Sequence, residues 1–169
     1  MRIETARLII TDFSPSMAHD LSLCSMDEDV QRFIPDEYFP TDAIAAEVID
    51  DLIACYGTAE GPFAHPVLLK DGTLIGYVQL PPLDGGWEIG YHISKAHTGK
   101  GYATEAVQAF LPVIMAQLGL TQVMGVCHGE NAASRRVLDK CGFRTVFEGE
   151  GPYHGGICPV YRAVFSLEK

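Results

Sequence analysis

The stretch His97-Thr-Gly-Lys-Gly-Tyr-Ala-Thr-Glu-Ala106 joins a segment with the periodicity of a strand to one with the periodicity of a helix. Trp87 to Ser94 alternates large apolar residues with smaller or polar ones, and residues 103–118 place apolar residues at helical spacing. Gly99 and Gly101 can adopt positive φ and let a ligand approach the backbone. The free N–H groups of a first helical turn attract anions. The stretch therefore predicts a phosphate-binding turn.

The glycine spacing excludes two common phosphate motifs. A P-loop requires Gly-x-x-x-x-Gly-Lys-Ser/Thr and a dinucleotide turn requires Gly-x-Gly-x-x-Gly, and residues 99–104 match neither. The stretch instead resembles the pyrophosphate loop of the GCN5-related N-acetyltransferases (GNAT), Gln/Arg-x-x-Gly-x-Gly/Ala, with matches at Gly101 and Ala103 and a departure at Thr98. Two further motifs are similar to the ribosomal-protein alanine acetyltransferase (RimJ/RimL-like) branch: Glu4-Thr-Ala-Arg-Leu-Ile-Ile10 and Asn131-Ala-Ala-Ser-Arg-Arg-Val-Leu-Asp-Lys-Cys-Gly-Phe143.

The order of predicted elements indicates an α/β (α+β) chain with one mixed sheet. Strands are predicted at 2–13, 63–69, 73–80, 87–94, 121–127, 143–147 and 160–167, and helices at 16–25, 26–30, 41–56, 103–118 and 131–141. The resemblance implies the GNAT acyl-CoA N-acyltransferase fold, with about seven strands flanked by helices in a single domain spanning residues 1–169. It also implies that the strands beginning near Trp87 and Gln122 splay apart around the pantetheine arm of acetyl-CoA.

The amino-acid composition limits the classes of partner that the protein is expected to bind. A length of 169 residues with 47% hydrophobic content fits one domain. The net charge of −10 argues against a nucleic-acid partner and suits a cationic substrate, although it also serves solubility. Five cysteines without a Cys-x-x-Cys pair indicate neither a disulfide framework nor a metal site. Because no export signal or long apolar run is present, we expect a cytoplasmic protein without a membrane partner.

Acetyl transfer to an amine requires a group that accepts the proton of the amine. Glu88 is the first candidate, because it lies on the strand before the phosphate loop, where the resemblance places the catalytic glutamate of histone acetyltransferases. His92 is the second, since strand alternation puts it on the same face. His128 and Glu130, at the end of the fifth strand, could act through water. Each of these side chains could instead have only a structural or solvent-facing role.

The departing thiolate requires a proton donor. In many family members this is a tyrosine seven residues after the asparagine that corresponds to Asn131, but here that position is Leu138. The alanine-acetyltransferase branch has a serine near the thioester sulfur, which Ser134 matches; a local hydrogen bond is its alternative role. Asn131 is expected to bind the pantetheine amides or to cap a helix.

The expected acetyl-CoA site contains the phosphate turn and one strand. Residues expected to hold the pyrophosphate are Thr98, Gly99, Lys100, Gly101, Tyr102, Ala103 and Thr104. Arg136 or Lys140 could reach the 3′-phosphate. A backbone N–H within Tyr91, His92 and Ile93 is the expected oxyanion donor.

The sequence therefore favours an acetyl-CoA-dependent N-acetyltransferase that acts without a metal by direct attack of an amine in a ternary complex. The acceptor is a protein N-terminal α-amine or a small-molecule amine, and the loop-rich segment 26–41 is expected to line its pocket. A homodimer is compatible with this assignment. Thr98 and Leu138 keep open an acyl-CoA-binding sensor without catalysis, and a nucleotide-binding module is a third reading.

Overall fold

A computed structural model describes residues 1–167 as one mixed sheet flanked by helices. The strands within that range are β1 (Arg2–Glu4), β2 (Leu8–Thr11), β3 (Phe63–Leu69), β4 (Leu74–Leu80), β5 (Pro82–Leu83), β6 (Gly86–Ile93), β7 (Gln122–His128), β8 (Arg144–Tyr153) and β9 (Gly156–Ser166). The helices are α1 (Ala18–Ser25), α2 (Glu28–Phe33), α3 (Asp42–Cys55), α4 (Tyr102–Leu118) and α5 (Ala132–Lys140). Short 3₁₀ turns span Pro15–Met17, Pro35–Glu37 and Lys95–His97.

The sheet divides into two halves that meet at β6 and β7. Its order is β1-β2-β3-β4-β6-β7-β9-β8, with β5 paired to β6, and the parallel pair β6–β7 lies among antiparallel neighbours. That pair contains only Glu88 opposite Met124 and Ile89 opposite Gly125. Beyond Ile89 the two strands separate, as the resemblance implied.

Helix α4 fixes the phosphate turn relative to the sheet. Its residues Val107, Phe110 and Ile114 recur at helical spacing and have no solvent exposure. Each such side chain contributes about 1.5–3 kcal/mol through burial. Gly119 ends the helix with φ +66°, a left-handed cap that glycine adopts readily. The N-terminus of α4 is therefore held at the point where β6 and β7 separate.

Leu138 belongs to the core and not to the site. It is 1% exposed, and a Cβ added at Gly125 would lie 2.5 Å from its Cδ2 atom. The side chain at this position of α5 therefore packs tightly against β7. The usual tyrosine position is occupied here by a packing residue.

Three expectations about the strands were wrong in detail. The strand predicted for 2–13 is two strands, because residues 5–7 leave the ladder to contact α4. The strand predicted for 143–147 continues to Tyr153, and the strand predicted to begin at 160 begins at Gly156, so the two form one long hairpin. With the short β5, the described residues contain nine strands and not about seven. Within residues 1–167, no helix has the combined length and apolar character needed to cross a membrane.

Candidate active site

A cavity of about 550 Å³ occupies the opening between β6 and β7. The residues proposed from the sequence that line it are Glu88, Tyr91, His92, Ile93, Thr98, Gly99, Gly101, Tyr102, Ala103, Thr104, Asn131 and Ser134. Arg136 and Lys140 also line it, whereas Lys100, His128 and Glu130 do not. Ten of the twelve residues come from β6 and the phosphate turn, so these two segments define the site.

The phosphate turn presents a row of unpaired backbone donors. Gly99 and Gly101 have φ of +76° and +81°, and Gly101 is the N-cap of α4. Among residues 1–167, the N–H groups of residues 99–104 have no hydrogen-bond acceptor. Since the N-terminus of an α-helix also carries partial positive charge, this row of donors can bind an anion such as a pyrophosphate.

The N-terminal segment holds this turn from outside the cavity. Thr5 Oγ1 donates a 2.6 Å hydrogen bond to Oε1 of Glu105, in the first turn of α4. Arg7 Nε donates to Oε2 of Glu105 at 2.6 Å, and Arg7 Nη1 donates to the carbonyl oxygen of Lys100 at 2.8 Å. The guanidinium also lies 4.5 Å from the centre of the Tyr102 ring. Nothing in the sequence pattern predicted these contacts, since they join residues about a hundred positions apart.

Glu88 projects into the cavity near the last β6–β7 pair. Burial raises the pKa of its carboxyl from the ordinary 4.5 to about 7; His154 opposes this shift and the carboxylate of Glu37 adds to it. No residue within 1–167 donates a hydrogen bond to the Glu88 carboxylate. The carboxyl is therefore accessible from the cavity and unusually basic.

Glu37 lies at the same end of the cavity and is held in place. Tyr77 Oη donates to its Oε2 at 3.1 Å, and Gln79 Nε2 donates to its Oε1 at 2.9 Å. The residue follows α2 in the segment 26–41, which was expected to line the acceptor pocket, and it does line the cavity. Sequence analysis did not single out Glu37, because its partners lie on β4, about forty residues away.

His92 contacts α1 and the residues that follow this helix. Its Nε2 lies 2.9 Å from the carbonyl oxygen of Cys24, so that nitrogen carries a proton and donates, and Asp27 Oδ2 is 3.6 Å away. Burial lowers the pKa of the imidazole. Only Nδ1 is then left to accept a proton, so Glu88 remains the first candidate for the base and His92 the second.

Ser134 and Tyr91 form a hydroxyl pair at the wall of the cavity. The Tyr91 hydroxyl lies 2.8 Å from Ser134 Oγ and 3.0 Å from the Ser134 carbonyl oxygen, to which it can donate. Burial raises the pKa of Tyr91, so the phenol stays protonated. Asn131 Oδ1 accepts from the Ser134 N–H at 3.1 Å as the N-cap of α5. The asparagine therefore caps the helix, and its Nδ2 remains a donor.

The separated edge of β6 supplies further backbone donors. The N–H groups of Glu88 and Ser94 donate toward the β4 and β5 side, at 3.1 and 2.8 Å. Because successive N–H groups of a strand alternate between its two edges, those of Tyr91 and Ile93 face the opposite edge. That edge has lost its β7 partner beyond the last paired residue. These two N–H groups therefore point into the opening.

The tip of the β8–β9 hairpin lies at the Glu88 end of the cavity. Tyr153 Oη donates to the carbonyl oxygen of Phe33 at 2.8 Å, and His154 Nδ1 pairs with Asp36. These contacts attach the hairpin to the last residue of α2 and to the segment that follows it, about 120 residues earlier in the chain. The predicted strand boundaries had left these residues between two strands, and sequence analysis did not single them out.

The described part of the chain contains no cluster of three or more His, Cys, Asp or Glu side chains that could hold a metal ion. Cys127 lines the cavity, and burial raises the pKa of its thiol to about 11. The thiol is therefore neutral near pH 7. The candidate groups for chemistry are therefore the backbone N–H groups, Glu88, His92 and the Tyr91–Ser134 hydroxyl pair.

A mixed sheet that opens at its centre beside a glycine turn defines a class of protein, the acetyltransferases that use an acyl-CoA donor. Comparison with known proteins makes this specific. The family model described as an acetyltransferase (GNAT) domain matches residues 7–144, and the chain belongs to the GNAT family of N-acetyltransferases.

Known relatives agree with this assignment. The chain is 31% identical over 149 residues to the uncharacterized N-acetyltransferase YnaD of Bacillus subtilis (strain 168), covering 85% of this chain and 83% of the relative. A GNAT-family acetyltransferase from Bacillus anthracis superposes with a TM-score of 0.84 at 25% identity, covering 100% of both chains. RimL, a ribosomal alpha-N-protein acetyltransferase solved with coenzyme A, has a TM-score of 0.82 at 15% identity and 99% coverage of both chains, a likeness of fold alone.

Proposed function

We propose that the protein transfers the acetyl group of acetyl-CoA to a primary amine by direct attack within a ternary complex. The acceptor is a protein N-terminal α-amine or a small-molecule amine. The reaction breaks the thioester C–S bond, forms an amide C–N bond and moves one proton from the amine toward solvent and one to the leaving thiolate. The cavity has one end suited to each substrate, since unpaired N–H groups line one end and carboxylates the other.

The donor is expected to extend from the phosphate turn along the separated edge of β6. The N–H groups of residues 99–104 would hold the pyrophosphate, and Arg136 or Lys140 would approach the 3′-phosphate. The thioester would then lie beside Tyr91, whose N–H faces the opening and can stabilise the oxyanion of the tetrahedral intermediate. Ser134 would be the proton donor for the thiolate, with its hydroxyl oriented by Tyr91 at 2.8 Å.

The acceptor is expected at the opposite end, near Glu88 and Glu37. Asp36, which pairs with His154, also lines the cavity. An ammonium ion is attracted there, but it must lose a proton before it can attack. A carboxyl with a pKa of about 7 accepts this proton from an α-amino group, with a pKa of about 8, at a cost near 1.4 kcal/mol. An alkylamine with a pKa of about 10.4 costs about 5 kcal/mol, so the match favours α-amines.

The observation that carries this proposal is the accessible, basic Glu88 carboxyl at the opening between β6 and β7. Glu88→Gln keeps the size of the side chain but cannot accept the proton. We expect kcat/KM at pH 7 to fall on the order of 100-fold. In wild type, kcat/KM should rise with pH through about 7 as Glu88 ionises, and the variant should lack this rise.

The assay is release of free CoA with a panel of peptide N-termini and small amines. Glu148→Gln is the matched control, because Glu148 is exposed, pairs with Arg135 and does not line the cavity. Equal rates and equal pH profiles for wild type and Glu88→Gln would remove Glu88 as the base and transfer that role to His92. Acetyl-CoA binding in calorimetry without turnover of any amine would contradict the proposed reaction.

A further inference from the structure

The N-terminal motif that contains Arg7 has no part in the chemistry proposed above, yet it contacts the phosphate turn more closely than any other segment outside it. We propose that Arg7 is a positioning residue for the donor substrate. It fixes the Lys100–Gly101 peptide so that the Gly101 N–H faces the pyrophosphate, and it neutralises Glu105 beside that anion. This inference rests on the proposed function, because it concerns the same acetyl-CoA site.

The first part of the proposal concerns the orientation of the Lys100–Gly101 peptide. The Lys100 carbonyl accepts from Arg7 Nη1 at 2.8 Å, so this oxygen points toward the N-terminal segment. In a planar trans peptide the C=O and the following N–H point in opposite directions. The Gly101 N–H therefore points away from Arg7, and Gly101 lines the cavity while Lys100 does not.

This peptide lies in a segment that glycine makes easy to reorient. Gly99 and Gly101 have φ of +76° and +81°, and glycine populates positive and negative φ with similar ease. Without an external bond, rotation of the Lys100–Gly101 peptide would turn a carbonyl oxygen toward the anion in place of an N–H. The hydrogen bond from Arg7 opposes that rotation, because the rotated peptide would lose a charge-assisted bond.

The second part of the proposal concerns the negative charge of Glu105. Its carboxylate lies in the first turn of α4, where an uncompensated negative charge would repel a bound pyrophosphate. Arg7 covers one oxygen with Nε at 2.6 Å, and Thr5 Oγ1 donates to the other at 2.6 Å. The Glu105 side chain is only 20% exposed, so solvent screens this charge incompletely. Arg7 thus neutralises the Glu105 carboxylate, which would otherwise repel the pyrophosphate, and it fixes the orientation of the Gly101 N–H.

The test compares two acetyl donors that differ in the pyrophosphate. Acetyl-CoA carries it, whereas acetyl-pantetheine has the same thioester and pantetheine arm without any phosphate. For Arg7→Ala we expect the Kd for CoA and the KM for acetyl-CoA to rise about tenfold, with kcat changed less than about twofold. Turnover of acetyl-pantetheine should change less than about twofold.

Arg2→Ala is the matched control, since Arg2 is also an exposed arginine in an ion pair, with Glu4 on β1, and lies outside the cavity. Unchanged CoA affinity in folded Arg7→Ala would overturn the inference, and so would an equal loss with both donors. If the alanine variant does not fold, Arg7→Lys, which keeps the charge without the planar fork, must show the same selective loss. Failure of wild type to bind CoA would instead refute the proposed function.

Discussion

The burial of Glu88 should be measurable as a pH-dependent cost in stability, independent of any substrate. Because the folded pKa of about 7 lies above the unfolded value of about 4.5, the protonated carboxyl favours the folded state. That contribution is complete below about pH 4.5 and is lost as pH rises through about 7. At about 1.36 kcal/mol for each pH unit between the two values, ionised Glu88 costs the folded protein about 3 kcal/mol.

Glu88→Gln isolates this cost, because glutamine has a similar size and does not titrate. Relative to wild type, the variant should gain about 2–3 kcal/mol of unfolding free energy between pH 5 and pH 8. With a urea m-value of about 2–3 kcal/mol/M, this corresponds to a relative midpoint shift of about 1 M. The difference between the two pH values cancels any constant effect of the amide on packing.

Urea unfolding followed by circular dichroism at pH 5 and pH 8 provides the measurement. Glu148→Gln is again the control, since Glu148 is exposed and lies outside the cavity. A constant difference between wild type and Glu88→Gln at both pH values would mean that Glu88 titrates like a solvated glutamate. The assignment of a basic carboxyl at the cavity would then be refuted, together with the pH–rate profile expected from it.

Two further variants test the donor end of the cavity. Gly101→Val introduces a branched side chain at φ +81°, where only the Arg7 guanidinium lies within 4 Å, and should weaken acetyl-CoA binding by more than about 1 kcal/mol in calorimetry. Gly72→Val, at φ +91° in the β3–β4 turn, is the control for backbone strain. Equal affinities of both variants for acetyl-CoA would refute binding of the pyrophosphate at the phosphate turn. Ser134→Ala should lower kcat on the order of tenfold or more while the KM for acetyl-CoA stays within about twofold, and a wild-type kcat would leave Ser134 with a structural role only.

Local pattern was enough to predict the parts of the site that depend on neighbours in sequence. The phosphate turn between β6 and α4 follows from strand periodicity, two glycines and helical periodicity, and its position was confirmed. The strands predicted at 63–69 and 73–80 were confirmed as β3 and β4, and Gly72 in the turn between them has positive φ. In both cases a single backbone requirement selects the residue type.

Contacts between distant segments could not be predicted in this way. The strand at 2–13 was predicted unbroken because its apolar residues continue, yet Thr5 and Arg7 leave the ladder for Glu105. The strands of the β8–β9 hairpin were predicted too short, because local pattern does not show that pairing with β9 holds Gly149 and Gly151 extended. The raised pKa of Glu88 depends on burial, which a pattern of alternating residues does not reveal.

The separation of β6 and β7 also determines what holds the two halves of the sheet together. Two residue pairs connect these strands. Beyond those pairs a gap separates β6 from β7, and the backbone groups on the two facing edges do not pair with each other. An extended molecule that carries amide groups can enter the gap as an additional rung of the ladder, and the pantetheine arm has this form. The donor substrate would then bridge β6 and β7 while it is bound. The same hydrogen bonds would bind the donor and connect the two halves of the sheet.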